Sequence, residues 1–183
     1  MRKIFLLTVM LLLAVSVAAQ EPFDWSRPML NKKTPKLTFT EWITEMPNMK
    51  GKFVVLDFWA TFCGPCVKFT PQMNRFAETF KNDAVFIAVA TQTKAQVEAG
   101  NKQIEKAKKQ LGEIYTPIRF YQATDATYKL FQAFQGEALP MVVIIDPQGI
   151  VRWQGNPHGD GNTEEGKLTE EVIKQLILNY KKG

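Results

Sequence analysis

The chain has 183 residues, 45% of them hydrophobic and 22% charged, with a formal charge of +5 and only two cysteines. That length and composition suit one globular domain with its own core, and exclude a disulfide-stapled mini-protein or a disordered chain. The positive charge is mild and scattered, which argues against nucleic acid as a partner. The densest basic stretch, residues 102–109, contains Glu105 and reads as a solvated helix face.

The first residues read as a secretory signal. Arg2 and Lys3 precede an apolar run over residues 4–17, and Val17, Ala18 and Ala19 offer small residues for cleavage before Gln20. The run is short for a transmembrane helix, and an uncleaved membrane anchor is the alternative. Removing residues 1–19 takes away Arg2 and Lys3 and no acid, which brings the formal charge from +5 to +3. Residues 20–36, with Pro22, Pro28 and Pro35, read as an extended lead-in, and residues 37–183 as the domain.

Within the domain, residues 37–46 suggest a short strand and a helical turn ended by Pro47, and residues 50–52 a turn. Residues 53–59 (FVVLDFW) form a continuous apolar run broken only by Asp57, which suits a buried central strand. A helix is expected over 63–80, with Pro65 in its first turn and Val67, Phe69, Met73, Phe76 and Phe80 on its apolar face. Pro71 lies inside that helix and should kink it.

Residues 84–90 (AVFIAVA) read as a second buried strand. A mostly polar helix follows over 95–111, with Val97, Ile104 and Leu111 at seven-residue spacing and Gly112 as its stop. A short strand is expected at 118–121 and a short helix at 126–134. Residues 141–145 and 150–154, joined by Asp146-Pro147-Gln148-Gly149, read as an antiparallel hairpin. After a loop at 156–161, a final helix over 168–180 carries Val172, Ile173, Leu176 and Ile177 on one face. The pattern implies an α/β domain whose mixed sheet is covered on both faces by helices.

Both cysteines lie in Cys63-Gly64-Pro65-Cys66. Closing so short a loop constrains an unfolded chain little, so the pair is poor scaffold and better chemistry. An inert surface disulfide is the bland alternative. A zinc site would need two further ligands, and His158 is the only histidine. Cys63 stands at a helix N-terminus, where backbone N–H groups favour a thiolate, and Cys66 follows one turn later in a more buried position. Cys63 is then the attacking sulfur and Cys66 the resolving one. Asp57 is an acid in an apolar strand, which tends to hold a proton if buried. A solvated, edge-facing aspartate is the alternative. Trp59 is expected against the active-site turn or in the plain core, and His158 in a solvated loop.

The run Val54-Val55-Leu56-Asp57-Phe58-Trp59-Ala60-Thr61-Phe62-Cys63-Gly64-Pro65-Cys66 resembles the active-site segment of thioredoxins, above all the exported TlpA/ResA-like thiol–disulfide oxidoreductases. Three further features match: Pro71 in the helix, Leu139-Pro140 before an apolar strand, and the 146–149 turn. The resemblance implies a thioredoxin-like fold. The segments near 95–111 and 118–121 resemble the insertion of the TlpA-like branch. On residues alone the bond before Pro140 is open between cis and trans; the resemblance implies cis. It also implies that Leu139 pairs with a bound peptide backbone, that Trp59, Phe62, Gly64 and Pro65 border the substrate, and that Asp57 relays a proton to Cys66. Phe62 replaces the usual tryptophan and keeps an aromatic cover without the indole N–H. No lysine stands in the 84–90 strand to partner Asp57.

The implied function is disulfide exchange with exported, disulfide-bearing proteins, in the reducing direction that Gly64-Pro65 favours. A membrane-linked or thioredoxin-type donor would supply electrons in the periplasm, with no cofactor and no metal. The alternatives are a dithiol oxidase or isomerase and, from another class, a copper-handling module using the thiolates with His158 and Met141. The cysteine spacing is one residue shorter than the copper-chaperone pattern. A peroxidase would need Thr-x-x-Cys, and Thr61 is one residue too close to Cys63.

Overall fold

The computed structural model describes residues 28–159 and 166–181; the expected signal at 1–19 lies outside them. Among the described residues, six strands form one mixed sheet in the order β1-β4-β3-β2-β5-β6. They are β1 (Glu41–Trp42), β2 (Phe53–Trp59), β3 (Ala84–Ala90), β4 (Tyr121–Thr124), β5 (Met141–Ile145) and β6 (Val151–Gly155). The helices are α1 (Gly64–Thr79), α2 (Lys94–Gln110), α3 (Lys129–Ala133) and α4 (Glu170–Tyr180).

β2 and β3 are buried at every residue. An unbroken apolar run has this fate because both faces of the sheet are covered. β2 lies between β3, to which it is parallel, and β5, to which it is antiparallel. Its side chains divide by parity. Phe53 and Val55 meet Phe69, Met73 and Phe76 of α1 and Ile173 and Ile177 of α4. Val54, Leu56 and Phe58 point the other way, onto Leu130, Phe131 and Phe134 around α3. Phe58 meets the rings of Phe131 and Phe134 edge-on at 5.5 and 6.0 Å.

The helix boundaries follow local chemistry. Pro71 sits inside α1 and has no N–H for the Val67 carbonyl; beside it, Thr70 Oγ1 donates to the Cys66 carbonyl at 3.3 Å. α2 opens on a reciprocal cap between Thr93 and Gln96, which satisfies two otherwise orphaned N–H groups. Thr169 caps α4, with Glu170 and Glu171 in its first turn, where the helix dipole favours acids. In the 146–149 turn, Asp146 Oδ1 accepts from the N–H groups of Gln148 and Ile150, both at 2.9 Å.

Several expectations needed correction. Residues 37–46 supply β1 but no helical turn. The strand expected at 118–121 lies at Tyr121–Thr124, because its partners are Ile87–Ala90 of β3 and the short β1. Its sequence, YQAT, is too polar to announce itself. α3 is shorter than the expected 126–134 because Tyr128 takes a left-handed φ of 58°, which starts the helix at Lys129. Of the expected α2 stripe only Val97 is buried, and Leu111 is exposed. β6 begins one residue later than expected, at Val151. The described part of the lead-in is joined to the sheet: Asn31 N–H bonds the Val151 carbonyl at 2.8 Å, and Val151 N–H bonds that of Lys32 at 3.0 Å.

Candidate active site

β2 ends at Trp59, and four residues later Cys63 caps α1 with an extended backbone. Its N–H bonds the Ala60 carbonyl at 3.0 Å, which closes the turn. Pro65 falls in the first turn of α1, where a missing N–H leaves nothing unpaired. Cys63 and Cys66 are joined as a disulfide with Cα atoms 5.3 Å apart. The Cys66 N–H also donates to Cys63 Sγ at 3.3 Å. A helix N-terminus therefore aims at this sulfur, which is the arrangement that favours a thiolate once the bond is reduced.

The cysteines are 8% and 5% exposed, so the expected contrast in burial between them is slight in the oxidised pair. Around them, Gly64 and Pro65 meet solvent and Phe62 is 72% exposed. Phe62 is thus a protruding apolar ring at the rim rather than a cover over the disulfide. Trp59 is buried in one cluster with Ala60, Cys63, Cys66, Ala88, Ala90 and Val97. It packs against the turn, and its buried Nε1 has no hydrogen-bond partner among the described residues. Leu139 is half-buried beside the same cluster, and the Leu139–Pro140 peptide bond is cis.

Two contacts from outside β2 and α1 hold the approach to Cys63. The Thr61 N–H donates to Gln92 Oε1 at 2.7 Å. Gly100 of α2 presses on the Thr61 side chain. The segment expected as an insertion therefore packs directly onto the dithiol turn.

Asp57 is buried on the central strand, so the solvated, edge-facing alternative fails. Its register partners are Ala88 and Val142. Ala88 belongs to the cluster around Cys63 and Cys66, which puts Asp57 on the cysteine side of the sheet. Burial pushes its carboxyl up from 3.8 to about 7. No basic side chain stands on β3, whose residues are all apolar.

His158, expected in a solvated loop, lies in a loop but is only partly exposed. Its Nε2 lies 3.1 Å from the Pro65 carbonyl oxygen, and its ring meets Phe69 edge-on at 5.0 Å. Nothing in its own loop announces this contact, because Pro65 is 93 residues away in sequence. Met141 goes the other way. It pairs with Phe58, lies in the cluster on the opposite sheet face from Asp57, and its sulfur takes a contact from Gln154 Nε2 at 3.6 Å. The thiolates, His158 and Met141 are therefore not assembled around one point. Among the described residues, no cluster of three or more His, Cys, Asp or Glu side chains is placed to hold a metal ion.

A profile of the AhpC/TSA family matches residues 30–154, and the chain belongs to that family. It is similar to the thiol–disulfide oxidoreductase ResA of Bacillus cereus, 28% identical over 159 residues that cover 82% of this chain and 85% of that protein. ResA of Bacillus subtilis is 29% identical over 139 residues, covering 76% and 67%. The thioredoxin domain of a thiol–disulfide oxidoreductase from Bacteroides vulgatus superposes with a TM-score of 0.57 at 16% identity, over 81% of this chain and 97% of that one. The fold is thioredoxin-like, and the cysteine pair on it is that of a thiol–disulfide oxidoreductase.

Proposed function

From that family membership we propose that the chain is an exported enzyme that reduces disulfides in other exported proteins. The observation that carries this is the Cys63–Cys66 pair at the α1 N-terminus, with the Cys66 N–H on Cys63 Sγ.

The reduced enzyme begins with Cys63 as a thiolate. It attacks one sulfur of a target disulfide, forms a Cys63–target disulfide and releases the other target sulfur as a thiolate, which takes a proton from water. Cys66 then loses its proton, with Asp57 as the acceptor, and attacks Cys63 Sγ. The second target thiolate leaves and takes up the proton that Asp57 accepted, which restores the carboxylate. The target has gained two electrons and two protons, and the enzyme is left with the Cys63–Cys66 disulfide. A membrane-linked or thioredoxin-type dithiol donor must return those two electrons. Asp57 suits its role because a carboxyl titrating near 7 changes charge at working pH.

Trp59, Phe62, Gly64, Pro65 and the Leu139–Pro140 backbone form the substrate-facing rim in this reading. Residues 1–19 act as a secretion signal, residues 20–36 as lead-in and residues 37–183 as the working domain, in the periplasm. The basic start and apolar run of residues 2–19 support that placement. The copper-handling alternative loses its fourth ligand to the far side of the sheet.

The test is capture. With Cys66→Ser, Cys63 should retain disulfide-linked exported proteins, and Cys63→Ser should retain none. An empty trap in the native compartment would falsify exchange. Equilibration with a glutathione buffer fixes direction: a potential near that of strong periplasmic oxidants overturns the reducing assignment.

A further inference from the structure

The mechanism above leaves His158 unused, yet its ring reaches the Gly64-Pro65 dipeptide between the two cysteines. A carbonyl oxygen only accepts, so His158 Nε2 carries the proton of its 3.1 Å contact with Pro65. One ring contact and two backbone contacts place this residue. Phe69 packs on it, the His158 backbone N–H bonds Asn156 Oδ1 at 3.0 Å, and residue 158 pairs with Lys167.

The accepting carbonyl belongs to the same peptide group whose N–H serves Cys63. Pro65 C=O and Cys66 N–H are two ends of one amide. His158 bonds its oxygen, and its N–H donates to Cys63 Sγ at 3.3 Å. A hydrogen bond at an amide oxygen polarises the group and makes its N–H the better donor. That N–H matters most when the sulfur is an anion, since charge-assisted bonds are the stronger ones.

We infer that His158 is a positioning residue of the dithiol, which acts through the Pro65–Cys66 peptide to stabilise the Cys63 thiolate. It rests on the reading of Cys63 as the attacking sulfur. It adds a control on that sulfur from the β6–α4 connection. A neutral bond of this kind strengthens its neighbour by a modest fraction, so the expected effect on the thiolate equilibrium is about two- to threefold.

The test needs no exchange activity, so it can fail or succeed independently of the proposed function. In a Cys66→Ser background, which keeps the residue-66 N–H, the rate of Cys63 alkylation by iodoacetamide is followed against pH. Three replacements at 158 are compared. His158→Gln keeps an N–H at the reach of Nε2. His158→Phe keeps the ring on Phe69 without a donor, and His158→Asn carries a donor too short to reach Pro65. All three remove the imidazole, and all leave the remaining titratable side chains, Asp57, Lys68 and Lys167 among them, unchanged. The Gln variant should therefore titrate about 0.3 to 0.5 pH unit below Phe and Asn, which is the two- to threefold effect. Should Phe fail to fold, Asn carries the comparison. Equal midpoints in Gln and the donor-less variants, or a higher one in Gln, overturn the proposal.

Discussion

Gly100 of α2 lies directly against Thr61, two residues before Cys63: a Cβ placed at position 100 would stand 2.5 Å from Thr61 Cβ. That is closer than side chains pack, so only glycine lets α2 seat on the dithiol turn. The same turn is tied to the end of β3 through Thr61 N–H and Gln92 Oε1.

Gly100→Ala reverses the usual sign for a helix. In an exposed helix it would add about 1 kcal/mol of stability. Here the methyl meets the stiff Cβ of Thr61 and should cost about 1–3 kcal/mol instead. Chemical denaturation measures it. Combining it with Thr61→Gly should restore part of the loss, and unchanged or raised stability in Gly100→Ala would sink the claimed contact.

Asp57→Asn should stabilise the protein at high pH and do nothing at low pH. The folded carboxyl keeps its proton up to about 7, whereas the unfolded one loses it near 3.8. Between those values the folded state binds more protons, so stability falls as pH rises and levels off above about 7. The full penalty is about 4 kcal/mol at 1.36 kcal/mol per pH unit. Denaturation of both forms at pH 4 and pH 8 checks it; a gap that fails to widen with pH refutes the buried-acid assignment. In exchange assays the same variant should slow release of the reduced target if Asp57 accepts the Cys66 proton as proposed.

Asp146→Ala should be among the most destabilising changes outside the core. Asp146 is buried, and its second oxygen meets Arg152 Nε at 2.7 Å. Its loss frees two turn N–H groups and takes that carboxylate from Arg152, which keeps Asn31 Oδ1 at 3.0 Å and the Tyr180 ring at 3.9 Å. A cost of about 3–5 kcal/mol is expected. Asp146→Asn keeps one acceptor for the turn and should lose less.

Phe62→Ala should barely touch stability, because the ring is exposed and surface changes stay within about 0.5 kcal/mol. It should lower kcat/KM for protein disulfides about three- to tenfold, while leaving reduction by a small thiol unchanged. Equal loss with both would mean that Phe62 acts on the dithiol rather than on the target.

Much of this was legible before any coordinates. The runs at 53–59 and 84–90 are apolar throughout, and such runs become central strands because nothing in them tolerates water. Pro65 and Cys63 marked the start of α1 through local chemistry alone. The 146–149 turn did the same for the hairpin. Where local signals are weak, the long-range pairing decides. YQAT was placed three residues early because its strand identity comes from the register with Ile87–Ala90. The left-handed Tyr128 shortened α3 with no glycine to warn of it.

The sequence by itself determined the redox pair, its place at a helix start and the presence of an acid on the adjoining strand, since each depends on residues within a few positions of one another. Only the tertiary structure decided what surrounds that pair. It buried Asp57 on the cysteine side of the sheet, turned Met141 to the other side, seated Gly100 on Thr61, and carried His158 to Pro65. Those contacts join residues tens of positions apart. They are set by how the sheet and helices pack, which no local pattern of residue types records.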